Sequence, residues 1–418
     1  MGLATTMNEP TNTPPERAGK GRREVRLISA SADDPAASAM ARRGIRLCRA
    51  GQPVACVVEV PADAAGGQAG PAPADLRVGR FVSWEDKAAA YVAAKAGHVW
   101  LLGARLEVDD TLELPEDVDG TTGPVHYDGT LTVQRSILDS AQIRAAGTIT
   151  VHGAVEAAEV HAGGDLHVHH GVCGKERGIV SAGGRFTARF ITNARATSGG
   201  DMVIANEIVN SQVTCGGVLK AENGTILAGH IISLGGIHCH TAGAEAGTRT
   251  LLEAGLAAER YDAIQTIVSA AEASLQKVRE IRAKVEPLMA HAKNLTAAQK
   301  EKATELLYAA DEAEASAHKN LDAVAKSKDA LRTCLSSRIL VSSLLHPGVI
   351  IRFPIAEGIV MTRLRGPVEI GVQTQGSNAQ VVVIDRCRNS ALPLPSVPGA
   401  EMRTDFVRRF LAEPASAL

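Results

Sequence analysis

The sequence predicts a mainly β protein with some α-helix. The expected architecture is a right-handed parallel β-helix of about 18 residues per rung, a long antiparallel coiled-coil hairpin inserted into it, and a small N-terminal α+β domain. Three observations support this fold class. Glycines recur through the middle of the chain, apolar and polar residues alternate after each of them, and heptad-like spacing replaces that alternation at Leu251. Such a repeat is typical of a solenoid, in which each copy buries its apolar face against the next.

Composition narrows the function classes. The 418 residues carry a formal net charge of -2 and only 3% aromatic residues, which disfavours a nucleic-acid-binding surface. Seven scattered cysteines without a CxxC pair favour a reducing compartment. No apolar run is long enough to span a membrane, and residues 1–23 lack the apolar core of a signal peptide. We therefore expect a cytoplasmic protein with no integral membrane segment and no nucleic-acid partner.

The sequence predicts two segments in the N-terminal part of the chain. Residues 1–23 are polar and rich in proline, which is typical of a disordered tail. Residues 24–124 predict the α+β domain, interrupted by a flexible loop over 61–75 (PADAAGGQAGPAPAD). Its helix is expected between Ser83, which forms an N-cap pair with Asp86, and Gly97 as the residue past its C-terminus. Strands are expected near residues 25–27, 45–47, 56–60, 99–102 and 106–108.

The β-helix rungs are expected over 125–252. Seven glycines stand 16 to 20 residues apart, and the second and fourth residues after each are mostly apolar. Because side chains alternate along a strand, these positions should point inward while the polar residues between them point outward. The glycines are Gly129, Gly147, Gly164, Gly184, Gly200, Gly217 and Gly235. The predicted core pairs are Leu131/Val133, Ile149/Val151, Leu166/Val168, Phe186/Ala188, Met202/Ile204, Leu219/Ala221 and Ile237/Cys239.

Residues 253–337 predict an antiparallel coiled-coil hairpin. Apolar residues step by three and four from Ile264 to Leu288, and again from Ala303 to Leu335 apart from one step of seven after Val324, in the heptad-like pattern of a helix seam. A turn is expected over 290–295, after which Thr296 and Gln299 form a capping-box signature. At about 1.5 Å per residue, two arms of this length would project ~60 Å. The many alanines in the seam predict close helix packing.

The last part of the chain returns to strand character. Apolar runs over 338–390 predict strands that resume the β body and cap it, so that the hairpin is an insertion. Residues 391–418 predict a proline-rich linker followed by a short basic amphipathic helix at 404–411.

Several short motifs between about Asp128 and Ile384 combine glycine turns with core positions. They are Ala162-Gly163-Gly164-Asp165, Ala182-Gly183-Gly184, Gly199-Gly200-Asp201, Ile208-Val209-Asn210-Ser211, Gly247-Thr248-Arg249-Thr250 and His346-Pro347-Gly348-Val349. With the long helices, they resemble the flagellar assembly protein A (FapA) family. The resemblance implies a cytoplasmic, non-enzymatic β-helix protein with a coiled-coil arm, linked in some bacteria to flagellar assembly or polar placement. The alanine- and arginine-rich N-terminal domain, with its long insertion, departs from the family pattern.

Histidines are the only enriched reactive residues. Two groups stand out, one within a single rung and one flanking Cys239, and histidines two apart on a strand share a face as metal ligands do. The register places His167 and His238 outward and Cys239 in the core, which favours solvated side chains over a metal site. The histidines are His161, His167, His169, His170, His238 and His240.

An enzyme is the competing class. Ile143, Ile149 and Val155 stand six apart, as in a hexapeptide acyltransferase, but no six-residue ladder is sustained over 173–240. The paired glycines lack the surroundings of a phosphate loop and are interpreted as corner turns. Asp165 and Asp201, which follow two of these pairs, are expected to cap turns rather than to perform acid–base chemistry.

The prediction is therefore a non-enzymatic scaffold that binds one or more unidentified protein partners. No catalytic, cofactor-binding or metal-ligating residue is assigned. A trimeric β-helix enzyme using the histidine-rich rung, either acyltransferase-like or metal-dependent, remains one alternative. A self-assembling, cytoskeletal-type β-helix is the other, since the ends of a solenoid expose strand edges, and homo-oligomerisation stays open.

Overall fold

A computed structural model describes residues 22–28, 45–60, 72–255, 258–290, 297–334, 336–375, 378–388, 390–397 and 407. The chain divides into two compact units, Met1–Gly200 and Asp201–Leu418. Four predictions fall largely outside the described residues: the tail over 1–23, most of the loop over 61–75, the turn between the helices, and the C-terminal helix apart from Val407. The last two residues of the expected tail, Arg22 and Arg23, are instead the start of a strand.

The first unit begins with two four-stranded sheets, ordered β1-β3-β6-β5 and β2-β7-β8-β4. One buried cluster, including Val54, Tyr91 and Leu106, joins residues from both sheets into a shared core. The strands are β1 (Arg22–Leu27), β2 (Arg46–Cys48), β3 (Pro53–Val60), β4 (Arg77–Val78), β5 (Val82–Glu85), β6 (Ala90–Ala93), β7 (Gly97–Leu102) and β8 (Arg105–Asp109). A strand is thus found at each of the five regions where the sequence predicts one.

The prediction of a helix between Ser83 and Gly97 is wrong. This stretch forms β5 and β6, which pair antiparallel with Trp84 opposite Tyr91. All four residues of β6 are buried, so the strand shows no polar alternation. A short strand buried on both faces cannot be distinguished from a helix segment by its apolar spacing. The described residues of 24–124 contain strands and one 3-10 turn, Gly120–Thr122, so the α+β assignment is corrected to β for this part.

Solenoid strands complete the first unit. Parallel pairing places Leu131 beside Ile149, Ile149 beside Leu166, and Leu166 beside Phe186, so that successive apolar residues stack inward. The strands are β9 (Thr111–Leu114), β10 (Val125–Tyr127), β11 (Thr130–Val133), β12 (Gln142–Ala145), β13 (Ile149–Val151), β14 (Glu159–Ala162), β15 (Leu166–Val168), β16 (Val172–Ala182) and β17 (Phe186–Ser198).

The second unit contains the same repeat. Met202 pairs with Leu219 and Leu219 with Ile237, again in parallel register. Its first strands are β18 (Met202–Cys215), β19 (Val218–Ser233), β20 (Gly236–Ala242) and β21 (Thr250–Ala254). All fourteen predicted core positions of the two units are buried, which confirms the inward register. The molecule is mainly β, with a β-solenoid of about 8 turns spaced about 18 residues apart.

Two long helices follow β21: α1 (Ala258–Ala290) and α2 (Ala297–Cys334). They contact each other through a cluster of small and branched side chains. Val278 and Ile281 of α1 and Ala310, Ala313 and Ala317 of α2 are all buried there.

After α2 the chain resumes the solenoid. Ile339 pairs in parallel with Ile237, and Val349 pairs with Thr250, so the strands after the helices continue those before them. The later pairings are antiparallel, and β25 and β26 both pair with β22. The strands are β22 (Ile339–Leu345), β23 (Val349–Phe353), β24 (Ala356–Ile359), β25 (Leu364–Arg365), β26 (Val368–Gln375), β27 (Asn378–Asp385) and β28 (Ser390–Pro393).

The start of the expected proline-rich linker needs a correction. Residues 390–393 form β28, which pairs with β27 and is exposed along its length. An edge strand tolerates proline because the missing N–H removes no interior ladder hydrogen bond. The first of these prolines, Pro393, therefore belongs to an edge strand rather than to a linker.

Candidate functional site

The paired glycines form close-packed turns. A Cβ on Gly183 would overlap the carbonyl oxygen of Gly163, and one on Gly199 would overlap that of Gly183. Stacked backbones therefore occupy the space that a phosphate loop would need for a ligand. Glycine is required at these corners because consecutive turns approach too closely for any side chain.

Asp165 and Asp201 bond to the backbone of the following turn. The Oδ1 atom of Asp165 accepts a hydrogen bond from the Arg185 N–H at 2.7 Å, and Asp201 Oδ1 accepts one from the Val218 N–H at 2.9 Å. Each carboxylate thus satisfies a backbone donor, as the expected capping role requires. The donor lies in the next turn of the solenoid, so each aspartate ties two turns together rather than capping only its own.

The histidines of the histidine-rich rung bond to different partners on the solenoid. His161 contacts Ser181 Oγ through Nδ1 at 2.6 Å and Glu159 Oε1 through Nε2 at 2.7 Å. His167 Nδ1 contacts Thr187 Oγ1 at 2.8 Å. These partners lie on the same strand or on the next turn, so both imidazoles are occupied by the solenoid surface. His167 points outward, as the register predicts.

The remaining histidines of this rung, His169 and His170, are exposed at a bend, and His152 of the preceding turn lies next to them. The rings of His152 and His169 meet edge-to-face with centroids 4.5 Å apart. Partial burial lowers the pKa of His169, and the neighbouring His152 and His167 lower it further because two protonated imidazoles repel each other. Within the described residues, no group of three or more His, Cys, Asp or Glu side chains has an arrangement that could hold a metal ion.

The second histidine group lines an open groove of about 490 Å³. His238 and His240 project from β20 on either side of Cys239, which is buried. His240 Nδ1 lies 3.1 Å from Ser342 Oγ on β22. Arg386, which also lines the groove, bonds to Glu369 through Nη2 at 2.6 Å, and Glu369 also lies 3.5 Å from Arg338 Nε, so the two guanidinium groups share one carboxylate. The groove is a shallow surface rather than an enclosed pocket.

A buried charge network also lies in the second unit. The side chain of Glu253 on β21 is only 4% exposed, and it pairs with Arg352, its register partner on β23. Arg352 Nε also contacts Glu357 Oε2 at 2.8 Å, and His230 Nε2 lies 3.1 Å from Glu253 Oε1. Burial raises the pKa of Glu253, but His230 and Arg352 outweigh it and hold that pKa below its usual range. Sequence reasoning missed this network.

A second buried cluster fixes the base of the two helices. Ile264 and Val268 of α1 and Val324 of α2 pack with Ile355, which lies between β23 and β24. Val407, which is 1% exposed, joins the same cluster. Hydrogen bonds add to this attachment. Just past α2, the hydroxyl of Ser337 donates to the carbonyl of Leu234 at 2.8 Å. The helices are therefore held at their base by burial, and a hydrogen bond holds the chain just past α2.

Hydrogen bonds also join the two helices to each other. Arg282 Nε donates to Glu314 Oε1 at 2.9 Å across the pair, and Asn320 Nδ2 reaches the Ala270 carbonyl at 3.3 Å. In the part of the chain that the structure describes, neither helix is long and apolar enough to cross a membrane.

Comparison with known proteins bears on the same region. The family model described as "Flagellar Assembly Protein A beta solenoid domain" matches residues 110–375. The match runs from the first solenoid strand into β26 and includes both helices. No curated protein and no solved structure matches the chain.

Proposed function

This chain belongs to the flagellar assembly protein A family, and from that membership we propose that it serves flagellar assembly as a protein-binding scaffold. The family is not a known family of enzymes. In this proposal the solenoid is a rigid body. The two helices α1 and α2, here called the arm, dock a protein partner. The setting is the cytoplasm, and the outcome is correct assembly or polar placement of flagella.

The fixed base of the arm is the observation that carries this proposal. A helix pair loosely tethered by its ends would swing freely, whereas Ile264, Val268 and Val324 are buried against the β-strand residues of the same unit. Burying three side chains of this size stabilises the base by several kcal/mol, at about 1.5–3 kcal/mol each. A firmly held arm presents its surface in a defined orientation, which lowers the entropy cost of binding a partner.

The alanine-rich contact supports a coiled-coil hairpin as the form of the arm. Ala310, Ala313 and Ala317 are buried at steps of three and four, opposite Val278 and Ile281. This spacing matches the seam of a left-handed helix pair. Small side chains let the two helices approach closely and leave their outer faces for other contacts.

The two alternatives receive less support. His161 lies between Ser181 Oγ and Glu159 Oε1, an order of groups that a hydrolytic enzyme could use, but all three side chains lie on the partly exposed solenoid surface rather than in a buried site. Filament formation would need strand edges that accept another copy, whereas β25 and β26 already pair with β22 in the second unit, and the exposed edge strand β28 contains Pro393, which cannot donate to an added strand. Both features favour a single capped scaffold.

Replacing the arm tests the proposal. Gly255 and Cys334 lie side by side, so a short Gly/Ser linker can replace residues 256–333, and circular dichroism checks that the variant keeps its β-structure once Ile355 and Val407 lose their helix contacts. In the source organism, we expect this variant to be as defective in flagellar number or position as a full deletion, as counted by electron microscopy. Normal flagella in the linker variant would disprove the role of the arm. Normal flagella after full deletion would disprove the flagellar function itself.

A further inference from the structure

One face of α2 points away from α1. Leu306, Ala310, Ala313 and Ala317 form the contact with α1. At about 100° per residue, the opposite face carries positions that follow steps of four, three and four. Four exposed residues occupy these positions, and we call them the acidic stripe: Glu301, Glu305, Tyr308 and Glu312.

The acidic stripe is open to solvent and its charge is one-sided. Tyr308 is 73% exposed, and Leu307 beside it is 38% exposed. Between residues 301 and 314, five carboxylates stand against one lysine, and of the five Glu314 is paired with Arg282 of α1. Within the described part of the chain, none of the four stripe residues makes an ion pair or a side-chain hydrogen bond. The carboxylates are well hydrated in this position, but the exposed ring of Tyr308 is the residue type that most often anchors a protein contact.

We infer that the acidic stripe docks a basic, amphipathic helix of a protein partner, with an apolar side chain of that helix packed on Tyr308. This inference rests on the proposed role of the arm. At 1.5 Å per residue the stripe is ~16 Å long, which matches about three turns of a partner helix. Lysine or arginine residues on the partner complement the carboxylates, which also repel acidic segments and anionic lipid surfaces.

The aromatic ring and the carboxylates have different tasks in this contact. Tyrosine offers a large contact area with few rotatable bonds, so Tyr308 supplies most of the affinity. The exposed carboxylates lie at the rim, where they steer association and select the sign of the partner. Binding should therefore weaken with added salt, and truncating the ring should cost more than neutralising any one carboxylate, whereas reversing two charges adds repulsion and should cost most.

Fluorescence anisotropy with the full-length protein tests the inference. The probe is a labelled leucine–lysine amphipathic peptide of about five helical turns, and its control replaces every lysine by glutamate. We expect the lysine peptide alone to bind, Tyr308→Ala to weaken binding at least about tenfold, and the pair Glu305→Lys and Glu312→Lys to abolish it. The matched control is the pair Glu272→Lys and Glu280→Lys on α1, which makes the same charge change and should stay within about twofold of wild type.

Three results would overturn the inference. They are equal binding by wild type and Tyr308→Ala, equal loss in the α1 control pair, or binding of the glutamate peptide. Circular dichroism checks that each variant keeps its helices, and these exposed positions should not affect folding. Failure here leaves the arm-replacement experiment unaffected, because flagellar number is measured without any peptide.

Discussion

Gly255 and Cys334 meet where the chain leaves the solenoid for the arm and returns to it. A Cβ placed on Gly255 would lie 2.5 Å from the carbonyl oxygen of Cys334, and Gly255 has a φ of +94°. Both the close approach and the left-handed backbone require glycine. This contact joins the two ends of a long insertion, so it explains how the solenoid register continues from Ile237 to Ile339.

Gly255→Ala should destabilise the protein by about 2–4 kcal/mol, because backbone strain and a steric clash add together. Gly247→Ala is the matched control, since Gly247 also has a positive φ but has nothing within 4 Å of the added Cβ. It should cost only about 1 kcal/mol. Chemical denaturation measures both, and equal losses would show that the approach to Cys334 has no energetic weight.

Arg352→Gln should destabilise the protein by about 3–5 kcal/mol at neutral pH, because it leaves Glu253 and Glu357 buried without their cation. The double variant Glu253→Gln with Arg352→Gln should recover part of this loss. Denaturation of the two single variants and the double variant gives the coupling energy. Simple additivity would contradict a direct interaction.

The same network predicts a pH dependence. Despite burial, which raises it, the pKa of Glu253 is held below its usual range by His230 and Arg352, so its carboxylate stabilises the fold above its unfolded pKa of about 4.3. That contribution is lost as the pH falls through the lower, folded pKa. The stability difference between wild type and Glu253→Gln should therefore shrink below about pH 4. A difference that grows on acidification would contradict the sign of this shift.

The solenoid could be predicted because its signal is repeated. Each of the seven glycines reports the same corner, and a one-residue slip in register would have moved every core residue outward. The helix predicted to begin at Ser83 was based on a single stretch without repeats. The four consecutive buried residues of β6 gave an apolar spacing that a helix could also have. Single elements without a repeat depend on tertiary contacts that a local pattern does not contain.

The buried network left a weaker trace in the sequence. Glu253 and Arg352 are lone charges within the apolar runs of β21 and β23. Their pairing depends on a register that spans the whole arm, so their separation of 99 residues hides it. Asn193 and Asn210 are a second missed signal. Both have a positive φ, which asparagine tolerates, and they stand 17 residues apart like the glycines.

The cysteines should differ sharply in reactivity. Burial raises the pKa of Cys239 to about 12, whereas Cys387 is exposed. Because the thiolate is the reacting species, Ellman's reagent should modify Cys387 quickly and Cys239 only after unfolding. Cys387→Ser should remove a fast phase from the native protein. Rapid modification of native Cys239, located by mass spectrometry, would contradict its placement in the core.

Val407→Ala should loosen the base of the arm. Val407 packs with Ile264 and Val268 and is 1% exposed, so removing two methyl groups should cost about 2 kcal/mol. Val203→Ala is the control, because Val203 is 37% exposed and its loss should stay within about 0.5 kcal/mol. Hydrogen exchange should quicken in the first turns of α1 in Val407→Ala alone. Unchanged exchange there would show that the arm is held without Val407, and that its base depends on the remaining contacts with the strands.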